Sequence, residues 1–199
     1  MPNIVNVGYD SANYYVIAGA TTRLLVDVGW PGTVPKLQAA LERTGVPLAG
    51  IAYLLATHYH PDHAGAAQEL KQKGVRLIVL ENQAAGIAFL NEWMKPKPQY
   101  HYVDITPNGN VNLRSVESRA LLRQLGLEGE IVPTPGHSDD SVTLILDSGV
   151  AFTGDLPPPG MLGASEHPAE RSWELIRGQH VHTVYPGHGL AGQLGPGQD

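Results

Sequence analysis

Four side chains that commonly bind metal ions lie within six consecutive residues of this chain. His58, His60, Asp62 and His63 form the pattern His-x-His-x-Asp-His, directly after the apolar run Ile51–Ala56. In extended backbone, side chains two residues apart point the same way, so His58 and His60 can bind one ion. The turn into a following helix directs Asp62 and His63 toward a second ion. Imidazole nitrogen and carboxylate oxygen suit zinc, and also iron or manganese.

Packing or surface roles explain this segment poorly. Three histidines at one helix start repel one another when protonated, and the sequence shows no packing need for them. A single Gly-His or Gly-Asp pair in a loop is different, because it is usually just a turn or capping residue. We therefore predict a metal site at the clustered segment and judge isolated pairs only together with it.

Three such pairs follow downstream, each at the end of a predicted strand. The candidates are His137 in Thr134-Pro135-Gly136-His137-Ser138, Asp155 in Thr153-Gly154-Asp155, and His188 in Tyr185-Pro186-Gly187-His188-Gly189. A glycine before each candidate allows a tight turn and a close approach of the backbone. Together with the cluster, these residues would complete a site for two ions.

Length, charge and cysteine content narrow the classes of function. A chain of 199 residues fits one domain, expected over residues 1–199. Its 13 basic and 19 acidic residues make nucleic acid an unfavourable partner, because phosphate binding depends on Lys and Arg. The absence of cysteine excludes a thiolate zinc site and a Cys nucleophile, and it fits a reducing compartment. With no signal-peptide pattern and no membrane-spanning apolar run, we expect a cytoplasmic protein that binds a small-molecule substrate and no membrane.

Hydrophobic patterning indicates a layered α/β arrangement, with strands first, then alternating strands and helices, then strands again. The predicted strands are Ile4–Tyr9, Tyr14–Ala18, Arg23–Val28, Ile51–Ala56, Arg76–Glu81, Glu130–Thr134, Ser141–Leu146, Val150–Thr153 and His182–Tyr185. The predicted helices are Thr33–Thr44, Asp62–Lys73, Asn82–Trp93, Ser115–Leu125 and Pro168–Arg177. Lys95–Asn112 is predicted to be irregular, and the tail from Gly192 frayed.

These motifs, in this order, resemble the metallo-β-lactamase fold superfamily, which includes glyoxalase II, N-acyl-homoserine lactonases, sulfur dioxygenases and ribonuclease Z. The resemblance runs from Leu24-Leu25-Val26-Asp27-Val28-Gly29 to Pro186-Gly187-His188. It implies an αβ/βα sandwich of two mixed β-sheets flanked by helices, with the site at one edge. It also implies two divalent metal ions, zinc in the first place, with iron or manganese as alternatives.

The resemblance assigns a role to each candidate residue. One ion would be held by His58, His60 and His137, and the other by Asp62, His63 and His188, with Asp155 bridging both. Asp27 would orient a ligand histidine by accepting its second ring N–H. The alternative for Asp27 is a turn residue before Gly29.

The implied function is that of a metal-dependent hydrolase. Two ions can share and deprotonate one water, and the bridging hydroxide attacks a carbonyl or phosphoryl centre. Asp155 and Asp62 are the expected catalytic carboxylates, and Asp62 would relay the proton to the leaving group. Further candidate proton donors, among which the sequence does not choose, are Tyr59, Tyr185, His101 and His167. The expected substrate is a small ester, lactone, thioester or phosphodiester.

Several alternatives stay open within the superfamily. Zinc β-lactamases generally have Cys or Ser at the bridging position, whereas glyoxalase II and lactonases have Asp, so Asp155 disfavours β-lactamase activity. The chain is also short for the additional domain with which glyoxalase II holds glutathione. A mononuclear iron sulfur (persulfide) dioxygenase would use His58, His137 and Asp155, and metal analysis would separate it from a two-zinc hydrolase. A non-catalytic metal-binding protein is the third alternative.

Substrate specificity in such folds depends on loops. The candidate loops are Lys95–Asn112 and Leu156–Pro168, and neither contains a recognisable substrate signature. Trp30, Trp93 and Met161 are candidates to line a pocket, although core packing is the simpler interpretation of each.

Overall fold

Two mixed β-sheets form the centre of the computed structural model, which describes residues 3–20, 22–161 and 168–195. Within these ranges the first sheet has the strand order β1 (Asn3–Asn6), β2 (Tyr15–Ala18), β3 (Arg23–Val26), β4 (Ile51–Leu55), β5 (Arg76–Leu80) and β6 (Asn110–Leu113). Strands β1 to β3 are antiparallel neighbours, and β3 to β6 run parallel. The second sheet has the order β11 (Gly192–Gln193), β10 (Thr183–Pro186), β9 (Val150–Gly154), β8 (Val142–Leu146) and β7 (Gly129–Pro133). In it β9 and β10 are parallel, and the other neighbours are antiparallel.

Helices flank the two sheets. They are α1 (Val34–Arg43), α2 (Pro61–Ala64), α3 (Ala67–Gln72), α4 (Ala84–Met94), α5 (Ser118–Gln124) and α6 (Pro168–Gly178). Helix α5 packs Leu121 and Leu122 against the core layer between the sheets. None of the helices in the described ranges is long and apolar enough to cross a lipid bilayer.

Alternating strand residues divide the core into three layers. Val16 and Leu25 pack with α1, α3 and α4 outside the first sheet, whereas Leu24 and Phe152 meet between the two sheets. Ile145 packs with α6 outside the second sheet. Because successive strand side chains point to opposite faces, every central strand contributes to two layers. This architecture confirms the predicted αβ/βα sandwich.

Three predicted elements differ from the observed ones. The predicted helix Asp62–Lys73 is two helices, because the Ala66 N–H donates to the Gly29 carbonyl (2.9 Å) instead of continuing the helix. Strand β6 begins in the last three residues of the region predicted to be irregular, where hydrogen bonds to β5 hold it although its two asparagines do not favour a strand. The first two residues of the tail predicted to fray form β11, which pairs with β10, and residues 196–199 lie outside the described residues.

Candidate metal centre

The seven predicted ligands lie in segments that follow four strands, and two of them, Asp62 and His63, lie in the short helix α2. The segment from His58 to His63 follows β4, and His137, Asp155 and His188 follow β7, β9 and β10. The Val142 N–H donates to the Thr57 carbonyl (2.8 Å), which joins the loop after β4 to the second sheet. The loops after β9 and β10 are joined by Gly187 N–H and the Gly154 carbonyl (2.8 Å). The fold therefore brings all four segments to one edge of the sandwich.

The first group of ligand atoms belongs to three histidines, His58, His60 and His137. Their ligand nitrogens lie within 4.8 Å of one another. Nε2 of His137 is 3.0 Å from Nδ1 of His60, and the rings of His58 and His137 have centroids 4.8 Å apart. His58 is completely buried, while His137 is partly exposed.

The second group consists of Asp62, His63 and His188, again with ligand atoms within 4.8 Å of one another. Nε2 of His63 is 3.2 Å from Nε2 of His188 and 3.6 Å from Oδ2 of Asp62. His188 Nε2 is 3.3 Å from the same carboxylate oxygen. The two groups match the two sets that the resemblance implies.

One carboxylate oxygen joins the two groups. Oδ2 of Asp155 lies 3.9 Å from His58 Nε2 and 3.7 Å from His137 Nε2, on the side of the first group. It lies 3.3 Å from His63 Nε2 and 3.5 Å from His188 Nε2, on the side of the second. Asp155 therefore lies between the two groups, where the resemblance predicts a bridging ligand.

Asp27 contacts the cluster from the buried side. Its Oδ2 accepts hydrogen bonds from Nδ1–H of His63 (3.0 Å) and from the Thr57 hydroxyl (2.8 Å), and its Oδ1 accepts one from the Thr57 N–H (2.6 Å). These bonds leave Nε2 of His63 facing the other ligands. The backbone of Asp27 is left-handed (φ +62°), a conformation that Asp tolerates better than most residues.

The turn between β1 and β2 supports His188. Nδ1–H of His188 donates to the Ser11 carbonyl (2.7 Å), and the Asn13 side-chain amide donates to the carbonyls of Pro186 (3.0 Å) and Gly189 (2.8 Å). Sequence reasoning did not identify this support. The only signal was a run of turn-forming residues, which predicts a hairpin and nothing about its partner.

A second residue that sequence reasoning missed is Asp140. This buried carboxylate accepts a 2.7 Å hydrogen bond from the Tyr59 N–H, between the two ligands His58 and His60. The Gln83 side-chain amide also donates to the carbonyls of Ala56 (2.9 Å) and Asp140 (3.3 Å). Asp140 thus ties the loop of the first two ligands to the loop that carries His137.

Burial and neighbouring charges shift the pKa values of the candidate ligands in opposite directions. Burial, followed by the charge of His63, lowers the pKa of His58 well below its usual value. Burial would also lower the pKa of His63, but Asp27 and Asp155 outweigh it and raise this pKa to about 10. Burial raises the pKa of Asp155, yet the hydrogen bond from His63 and the nearby histidines leave it below its usual value. A histidine gives up the proton on the coordinating nitrogen when it binds an ion.

The donor set fits metal ions. Among the described residues, Nε2 of His58 and Oδ1 of Asp155 are buried without a hydrogen-bond partner, which would cost free energy if nothing else satisfied them. Five imidazoles and two carboxylates offer nitrogen and oxygen ligands of the kind that zinc, iron and manganese accept.

The candidate proton donors are not equivalent in the structure. Tyr59 is buried in the core, and the Tyr185 ring stacks on Phe152 between the sheets. His101 is exposed after a short 3-10 turn and belongs to none of the groups that could hold an ion. His167 lies outside the described residues.

Comparison with known proteins identifies the class to which this fold and site belong. The family model of the metallo-beta-lactamase superfamily matches residues 7–188. A metallo-beta-lactamase family protein from Thermus thermophilus has a similar structure, with a TM-score of 0.74, 23% identity, and coverage of 96% of this chain and 74% of that one. The chain therefore belongs to the metallo-β-lactamase superfamily.

Two curated relatives illustrate the range within the family. A probable metallo-hydrolase of Methanocaldococcus jannaschii is 25% identical over 195 residues, which cover 93% of this chain and 90% of the relative. A hydroxyacylglutathione hydrolase of Rhodopseudomonas palustris is 30% identical over 134 residues, covering 67% of this chain and 42% of the relative. The chain spans about half the length of several other curated relatives.

Proposed function

We propose that this protein is a dinuclear metallo-hydrolase that cleaves a small ester, lactone, thioester or phosphodiester. The observation that carries the proposal is the position of Asp155, whose Oδ2 lies within 3.9 Å of histidines from both ligand groups. A site for one ion needs only one of these groups. The presence of both, joined by one carboxylate, supports the binding of two ions.

Three carboxylates of the chain would have different roles in this reaction. Two divalent ions, if held by the two ligand groups and Asp155, would supply Lewis acidity for activating water and polarising a substrate oxygen. Asp155 keeps the two ligand groups together, and Asp27 fixes the tautomer of His63. Asp62 is the more exposed of the two candidate ligand carboxylates, so we assign it the transfer of the proton to the leaving group.

The chemistry of the ligands and the names of the relatives support further parts of this proposal, namely the metal and the substrate. We propose zinc as the metal, with iron or manganese as alternatives, because five of the seven ligands are imidazoles. The relative named hydroxyacylglutathione hydrolase supports an ester or thioester substrate. A single domain over residues 1–199, a cytoplasmic location and the lack of a nucleic-acid partner remain predictions from the sequence.

The test is a substrate panel run on protein whose metal content has been measured. The panel contains lactones, thioesters, p-nitrophenyl esters, bis-p-nitrophenyl phosphate and a cephalosporin. Two zinc ions per chain, together with turnover of one non-cephalosporin class, would support the proposal. One iron per chain with no hydrolysis would favour a sulfur dioxygenase using His58, His137 and Asp155. Two ions per chain without turnover would support a metal-binding protein that is not a hydrolase.

A further inference from the structure

Four of the eight large apolar side chains that are exposed among the described residues lie beside the candidate metal centre. Met161 and Leu190 keep 80% and 94% of their surface exposed, and Phe89 and Trp93 keep 60% and 37%. All four line one of two hollows that adjoin the candidate ligands. Sequence reasoning favoured core packing for Met161 and Trp93, and for these two residues it was wrong.

The first hollow, here called the Trp173 hollow, adjoins the ligands Asp155, His137 and His188. Its volume is about 590 Å³, and its apolar walls include Pro158, Met161, Trp173, Leu190 and Leu194. Trp173 is buried at the base, where its indole N–H donates to the Pro157 carbonyl (2.7 Å). This bond satisfies the polar atom of the indole, so Trp173 adds no unpaired polar group to the wall of the hollow.

The second hollow, here called the Phe89 hollow, adjoins two other ligands, His60 and Asp62. Its volume is about 300 Å³, and Phe89, Leu90 and Trp93 from α4 form its apolar wall. The two hollows share no lining residue. The metal centre therefore has a separate apolar hollow beside each of two different sets of its ligands.

Charge limits what these hollows can hold. Among the described residues that line them there is no Lys or Arg, and the carboxylates present are the ligands Asp155 and Asp62. A phosphate or carboxylate group on the substrate would find no cationic side chain in either wall. Apolar walls favour alkyl or aryl groups, because burying them removes apolar surface from water on both sides.

We propose that the substrate is an ester or thioester with an apolar group on each side of the bond that is cleaved, one group in each hollow. This inference rests on the proposed function, because it assumes that the reacting carbonyl lies at the metal centre between the hollows. It narrows the substrate class by disfavouring esters and thioesters with a charged arm. A small lactone would fill only one hollow.

The test uses a ligand that binds without reacting. Alkylphosphonate monoalkyl esters carry a tetrahedral anionic centre and two alkyl arms whose lengths can be varied independently. Their affinity for zinc-loaded protein is measured by titration calorimetry, first with one arm lengthened from one to eight carbons, then with the other. We expect affinity to rise with the length of both arms, by up to about fourfold per methylene.

Variants assign each arm to a hollow. In Phe89→Ala, affinity should rise less steeply with the length of one arm. In the double variant Met161→Ala, Leu190→Ala, affinity should rise less steeply with the length of the other arm. All three side chains are mainly exposed, so the folded protein should tolerate these changes. Val116→Ala is the matched control, since Val116 is 81% exposed and lines neither hollow. In this control, affinity should rise with the length of each arm as steeply as in the wild-type protein.

The two-armed substrate would be ruled out if affinity did not depend on the length of one of the arms. It would also be ruled out if all variants, including Val116→Ala, changed the affinity equally. Hydrolysis of p-nitrophenyl acetate by the same preparations separates this outcome from failure of the proposed function. Turnover without any dependence on arm length would leave the hydrolase and remove the inference. Two-armed binding without turnover of any ester would leave the apolar ligand and remove the hydrolase.

Discussion

At the residue scale, the proposed two-metal site depends on Asp155, because its negative charge would offset the repulsion between two cations. Asp155→Asn keeps the shape of the side chain and removes that charge. We expect the variant to lose one metal ion preferentially, to bind the other more weakly and to lose most of its hydrolytic activity. Metal content after dialysis, measured together with the rate, tests this expectation.

The exposed Asp139 supplies a control for the same change, because Asp139→Asn alters charge outside the ligand groups. If Asp155→Asn kept both its metal stoichiometry and its rate, Asp155 would be only a capping residue for the loop at Leu156 and Pro157. The two-metal mechanism would then have to be abandoned.

Asp140 is the second residue whose substitution is informative. Asp140→Ala leaves the buried Tyr59 N–H without its acceptor, which should cost about 1–3 kcal/mol of unfolding free energy. Because that N–H lies between two ligands, zinc affinity should also fall by about tenfold or more. Denaturant unfolding and a competitive zinc titration measure the two effects.

The neighbouring residue again provides the control. Asp139→Ala should change the unfolding free energy by less than about 0.5 kcal/mol, because Asp139 is exposed. Asp140→Asn should recover much of the zinc affinity, since an amide oxygen can also accept from Tyr59. Equal zinc affinities for Asp140→Ala and Asp139→Ala would show that Asp140 does not position the ligands.

At the scale of elements, the end of β9 has strict backbone requirements. Gly154 is left-handed (φ +54°), and a Cβ there would collide with the Thr57 side chain. Gly154→Ala should therefore combine strain of about 1–2 kcal/mol with a steric clash, and should displace Asp155. The urea midpoint and the metal content of the variant measure these effects.

Gly74→Ala separates strain from clash. Gly74 is also left-handed (φ +94°), but a Cβ there meets nothing within 4 Å. We expect the Gly74→Ala variant to lose unfolding free energy through backbone strain alone and to keep its metal content. A loss of stability in Gly74→Ala as large as in Gly154→Ala would mean that contact with Thr57 is unimportant.

At the scale of the whole molecule, the ligands come from segments that follow strands of both sheets, so the ions should bind only the folded chain. At free zinc 100-fold above its dissociation constant, binding would stabilise the fold by about 2.7 kcal/mol. For a chain of this length, removal of zinc by a chelator should lower Tm by about 5–10 °C. Thermal unfolding with excess zinc and with EDTA measures the difference.

His60→Ala, which lacks one ligand of the first group, should show a smaller shift in the same experiment. Identical values of Tm for the wild-type protein in zinc and in EDTA would argue against coupling between metal binding and folding.

The sequence by itself determined the chemistry of the site and the class of fold. His-x-His-x-Asp-His is local, and its spacing after an apolar strand restricts the possible roles of its side chains. Apolar runs such as Leu24–Val26 and Val142–Leu146 predict buried strands because strand patterning is also local. The order of the motifs along the chain was enough for the resemblance that the family match confirmed.

Only the tertiary structure decided which distant groups support that site. Nothing near Asp140 in the sequence indicates that it accepts from Tyr59, and nothing near Ser11 indicates that it accepts from His188. The break after α2 likewise depends on Gly29, which is distant in sequence. These contacts join residues that are far apart along the chain, up to 177 positions for Ser11 and His188, and the two hollows combine walls from several loops and helices. Local sequence patterns do not predict such contacts, because the contacts form only when distant segments pack together in the folded chain.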